Sequence, residues 1–117
     1  MRYLNESEIA PLLNAGKVVE QFIGEFYHQS FKCYRYFSLQ KDRHGIHLLV
    51  FEKFDESDEG LTSIYDFSSL DPDQLYGKEH DSFPSLNAVL LYLESEYEIS
   101  SSKFLLAGQL DQVIGIG

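Results

Sequence analysis

The chain predicts an α+β fold: a short N-terminal helix, an antiparallel meander of three to four strands, and a C-terminal helix packed on one sheet face. Three observations carry that prediction. Aromatic and β-branched residues crowd three segments between residues 31 and 67, separated by turns that bear Gly and Asp. Near the N-terminus, Asn5 and Glu8 stand at capping-box spacing ahead of a short apolar stripe. Further on, Leu86, Val89, Leu90, Leu93 and Tyr97 recur at helical spacing behind Ser85, a favoured N-cap residue. With 117 residues, 44% apolar and 24% charged, the chain reads as one domain, 1–117, able to bury an ordinary core.

Taken in order, Ile9, Leu12 and Leu13 predict a helix over 7–15 that stops at Gly16. Pro11 suits it only within the first turn. Residues 17–29 carry two signals. Val18, Val19, Phe22, Ile23, Phe26 and Tyr27 fall at helical spacing, yet Val, Ile, Phe and Tyr are strand formers. Because Gly16 interrupts any continuation of the first helix and Gly24 suits a bulge, the strand is the reading adopted.

The next strand alternates, with Phe31, Cys33, Phe37 and Leu39 on one face and Lys32, Tyr34, Tyr36 and Gln40 on the other. Arg35 is the exception on the apolar face. Residues 45–54 place Ile46, Leu48 and Val50 opposite Leu49 and Phe51, as in a central strand covered on both sides. The polar connection 41–44 makes these two a hairpin. After an acidic turn at 55–60, residues 61–67 read as a third strand, and 68–73 end the sheet in turn residues. Residues 71–84 hold Pro72, Gly77 and Pro84 and read as a loop. A short turn from Ser101 through Leu105 and an apolar, Gly-weakened tail close the chain.

The net charge of −10 is unevenly spread. Residues 1–50 hold six Lys/Arg against five acids, whereas 51–117 hold three lysines against fourteen acids. A field of that sign repels nucleic-acid phosphates and anionic lipids, and attracts basic proteins. No apolar run approaches the ~20 residues needed to span a bilayer. No secretory signal is visible at the N-terminus, and a lone cysteine, Cys33, fits a reducing cytoplasm.

No catalytic, cofactor or metal motif emerges, so an enzyme is the less favoured class. His28, His44, His47 and His80 are scattered; His44 and His47 alone share one end of the expected sheet. Cys33, on an apolar strand face, reads as buried and structural. The turn Asp55-Glu56-Ser57-Asp58-Glu59-Gly60 clusters hard oxygen ligands but lacks the spacing of a calcium loop, and reads as a solvated turn. Surface recognition remains. If one sheet face is left open, Tyr34 and Tyr36 are exposed together, and Asp66, Glu94 and Glu98 supply the charges of a site for a basic partner. The leading expectation is a small cytoplasmic protein-binding module, concretely an acidic inhibitor or antidote of a basic partner protein. Two alternatives stand beside it: a small-ligand or enzymatic pocket between sheet and helix, built from tyrosines, His47 and Arg35, and a homo-oligomer joined through an edge strand.

Overall fold

A computed structural model of the chain describes residues 2–74, 77–80 and 82–115. It opens with α1 (Glu6–Asn14). The Glu8 side chain accepts the Asn5 N–H at 2.9 Å, the reciprocal half of the capping box that the spacing predicts. Arg2 donates to the same carboxylate at 2.7 Å. That bond, with the one from Asn5, holds the Glu8 carboxyl down at about 2. Gly16, at φ 79°, ends the helix: its N–H reaches the Leu13 carbonyl while the Lys17 N–H reaches Leu12, a Schellman closure. Pro11 lies in the second turn and not the first, because the helix starts at Glu6. The missing N–H there removes one intrahelical bond.

Residues 17–29 resolve in favour of the strand. β1 (Val19–His28), β2 (Phe31–Asp42) and β3 (Gly45–Phe54) pair as an antiparallel meander. The β1–β2 register slips between Phe22 and Gly24, the bulge that Gly24 suggests. Past it, the faces of β1 exchange parity: Val19 and Gln21 share a face with Gly24 and Phe26, while Glu20 and Phe22 share the other with Glu25 and Tyr27. Between β2 and β3 the turn tightens to Arg43 and His44, with Asp42 Oδ1 accepting the His44 N–H at 2.7 Å.

The expected third strand over 61–67 is not one. Ile64–Asp66 forms a 3₁₀ turn, and this segment folds across the sheet instead of joining it. The edges are completed from elsewhere. β4 (Lys78–Glu79) pairs with β3, and β5 (Leu105–Leu106) pairs with the start of β1. The sheet order is β4-β3-β2-β1-β5. The loop expected over 71–84 therefore holds a 3₁₀ turn at Pro72–Gln74 and an edge strand, residues 75, 76 and 81 lying outside the described range. α2 (Leu86–Glu96) begins behind Ser85, whose hydroxyl accepts the Ala88 N–H at 3.1 Å. The last turn expected from Ser101 through Leu105 is present at its start, where the Lys103 N–H meets the Ser100 carbonyl, but Leu105 enters β5, which α3 (Leu110–Ile114) follows.

Both sheet faces are covered. On one, Val19, Phe37, Leu39, Ile46, Leu48 and Val50 pack against Ile9 and Leu13 of α1, Val89 and Leu93 of α2, and Phe104. Full burial of each large apolar side chain there is worth roughly 1.5–3 kcal/mol. On the other, Tyr34 and Tyr36 pack under Ile64 and Phe67 of the 61–67 segment and Leu110 of α3. Among the described residues, no helix is long and apolar enough to cross a membrane.

Candidate functional site

The β1–β2 hairpin closes on two residues, Gln29 and Ser30, both at positive φ (51° and 72°). That is the backbone of a type I′ turn, which Asn-Gly suits and which strains any bulkier pair. The tip carries two of the most exposed large apolar side chains, Tyr27 at 71% and Phe31 at 62%. Strand alternation sends them to opposite faces, so the aromatics straddle the tip. Phe31 stands edge-on to Phe54 at 5.9 Å, and His28 leans on the same ring at 6.3 Å.

Acids surround this tip. Lys32 lies 3.5 Å from Glu25 and 3.8 Å from Asp55. Asp55 also accepts from Ser57 N–H and Oγ and from the Tyr34 hydroxyl. Partial burial works against the Asp55 charge, but those bonds prevail and hold its carboxyl below the usual carboxylate value. Glu56 turns away to receive Ser68 N–H and Oγ. Asp58 and Glu59 stay exposed, and Glu59 with Asp55 and Glu56 lines a hollow of about 220 Å³ beside Phe31 and Phe54.

A second feature is a cleft of about 350 Å³ between β3, the C-terminal half of α2 and residues 69–74 and 78–80. Its floor is Arg35, which donates Nε and Nη2 to Glu52 Oε2 at 2.8 and 2.5 Å and lies 4.5 Å from the Phe26 ring centre. Tyr97 flanks the guanidinium, and burial pushes its hydroxyl pKa up. Tyr92 meets His80 Nδ1 at 3.3 Å on the far wall.

The open sheet face on which an exposed Tyr34 and Tyr36 pair depended is absent, and the two are core. They are only 4% and 2% exposed, since 61–67 and α3 roof that face. Tyr34 stacks on Phe67 and Tyr36 on Phe51, at 6.3 and 4.6 Å. Burial, with Glu20, Tyr65 and Asp111 nearby, drives the Tyr36 hydroxyl pKa far up. Asp66, Glu94 and Glu98 are exposed but do not converge. Asp66 sits in the 3₁₀ turn, Glu94 on α2, and Glu98 beside Glu25 and Glu96 along the outer side of β1. Arg35 does border a cleft with tyrosines, whereas His47 is on the opposite face, 2.8 Å from Asp42 Oδ2, and His80 takes its place.

Cys33 is fully buried, and burial raises its thiol pKa. His44 instead faces Arg43, and among the described residues no three His, Cys, Asp or Glu side chains gather as metal ligands. Tyr27, Phe31 and Glu25 escape a sequence reading because an apolar residue at a strand end has the same alternation whether the strand is roofed there or projects beyond its roof. Compared with known proteins, the chain matches no family model, no curated protein and no solved structure.

Proposed function

We propose that this protein is a small acidic binding module that presents the β1–β2 tip to a basic partner protein, with inhibition of that partner as the concrete form. The observation that carries the reading is the pair Tyr27 and Phe31, exposed at the tip, with Asp55, Glu56 and Glu59 lining the hollow beside Phe31. Amphipathic aromatics supply contact area at low entropic cost, and a ring of acids steers a cationic surface toward them. A chain of net charge −10 extends that field over the whole molecule and disfavours nucleic acid as a ligand. The lone buried Cys33 fits a cytoplasmic setting.

The test is capture from a native lysate with the unmodified protein and a Tyr27→Ala/Phe31→Ala variant, followed by binding measurements on the recovered protein. Loss of two exposed anchors is expected to weaken affinity by about five- to 150-fold, about 1–3 kcal/mol, and to leave the melting temperature nearly unchanged. Association should slow steeply as salt rises. Recovery of the same protein, with equal affinity, by the variant refutes the reading.

A second reading, a small-ligand site, is favoured by the cleft floored by Arg35 and walled by Tyr92 and Tyr97. A rise in melting temperature with small carboxylates, lost on Arg35→Ala, is its signature.

A further inference from the structure

The two edges of the sheet are finished unequally. The outer side of β3 is paired along most of its length: Phe83 bridges Ile46, β4 pairs with Leu49 and Val50, and the 68–70 segment bonds to Glu52 and Phe54. The outer side of β1 is paired only at its start, by β5 and by the Ala107 N–H on the Val18 carbonyl. Among the described residues, 22–28 have no main-chain partner on that side.

The phase of the ladder shows which groups are free. His28 and Phe31 flank a two-residue turn, so they exchange main-chain bonds, and in an antiparallel ladder every second pair does likewise. Phe26 and Gly24 thus bond inward to β2, and Glu25 and Tyr27 turn their N–H and C=O groups outward. Beside this edge lies a hollow of about 270 Å³ lined by Phe26, Tyr97, Glu25, Glu96 and Glu98. Among the described residues, the one cation bordering it, Arg35, is already committed to Glu52.

We infer that the β1 edge over 24–28 takes an extended, Lys/Arg-bearing segment of the partner as an added strand. Main-chain bonds to Glu25 and Tyr27 provide the docking line, and alternate side chains of the guest reach Glu96 and Glu98. The Phe22–Gly24 bulge bends the edge and limits the guest to a short strand. A second copy of this chain is the poorer guest, since edge-to-edge pairing would bring Glu25 near its own copy and join two molecules of net charge −10. The inference rests on the basic-partner reading and adds how the partner's main chain is held.

The experiment titrates the ¹⁵N-labelled protein with a short capped peptide alternating Lys and Val. Its controls are the Glu-for-Lys peptide and two peptides N-methylated at every second residue, one in each phase. The expected result is shifts centred on the Glu25 and Tyr27 amides, with hydrogen exchange there slowed about tenfold or more at saturation. One N-methylated phase should bind and the other should not, and the Glu peptide should bind at least about tenfold more weakly at low salt. Glu25→Pro, which removes an outward N–H and no ladder bond, should abolish binding, while Glu25→Gln should retain most of it. If Glu25→Pro fails to fold, the N-methylated pair decides. Equal binding of both N-methylated phases, or no shift at Glu25 and Tyr27 with millimolar peptide, overturns the inference. So does concentration-dependent dimerisation of the free protein that protects those amides, which would assign the edge to a second copy. None of these outcomes touches the lysate test of Tyr27 and Phe31, so failure of the edge is distinguishable from failure of the basic-partner reading.

Discussion

The β3 edge and the β1 edge of one sheet differ in what closes them. β3 is sealed by segments distant in sequence, each contributing one or two backbone pairs, so that little of it is left to recruit a foreign strand. β1 is sealed over its first residues by β5 and then runs outward to a strained tip without cover. In their place, side chains secure its inner end. Gln21 is buried in the core, where its amide donates to the Ser100 carbonyl at 2.8 Å and accepts the Ser100 N–H at 2.9 Å, as a neighbouring strand would. Glu20 does the same on the other face, accepting the Tyr65 hydroxyl at 2.7 Å and the Gly108 N–H at 2.9 Å. Where these side-chain ties end, the exposed edge begins.

That contrast breaks most sharply at Gly45. A side chain there would stand 2.5 Å from the Phe83 carbonyl at a φ of 129°, which favours glycine alone. Gly45→Ala should therefore push Phe83 off the β3 edge and cost about 2–4 kcal/mol, read as a fall in the urea midpoint. Amide exchange should quicken at Ile46 and Phe83 and not along β1. A loss below about 0.5 kcal/mol would show that the β3 closure contributes little.

A smaller effect is expected at Gln21. Gln21→Leu keeps the volume but leaves the Ser100 N–H and C=O without their partner, costing about 1–3 kcal/mol. Unlike Gly45→Ala, it should loosen residues 98–103 and lengthen the uncovered part of β1. Exchange at Ser100 in the folded protein distinguishes this from a general loss of stability.

The smallest effect is a pH dependence. Burial raises the Glu20 pKa, and the bonds from Tyr65 and Gly108 only partly oppose it. An acid whose folded pKa lies above its unfolded value contributes stability that is full below the unfolded pKa and is lost as pH rises through the folded one. Glu20→Gln keeps an oxygen acceptor for both bonds and removes the ionisation. It should be as stable as the unmodified protein below pH ~4, and equal or more stable by up to about 1 kcal/mol at neutral pH. A variant less stable at neutral pH than in acid, relative to the unmodified protein, would mean that the charged form of Glu20 is the one the fold prefers.

The β2–β3 hairpin was legible in the residues themselves. Alternation over 31–40 and 45–54 sorts side chains to faces through the two-residue period of a strand, which needs no tertiary information. The helix boundaries at Asn5, Gly16 and Ser85 are similarly local, because caps satisfy their own orphan groups within a few residues. Gly24 marked the bulge for the same reason. Alternation does not say whether a face is roofed, or how far along the strand the roof extends. Tyr34 and Tyr36 became core because residues 61–67 left the sheet to lie across it, and because α3 arrived from the far end of the chain. Tyr27 and Phe31 are as apolar as their neighbours, yet they are exposed because the strands outrun that cover. Which edge was closed was settled in the same way, by Phe83, β4 and β5, segments with no strand-length pattern of their own. Local chemistry determined α1, α2, β2 and β3 and the faces of those strands, but not the fate of 61–67 or the short β4 and β5. Long-range packing alone decided which aromatics became core and which were left exposed.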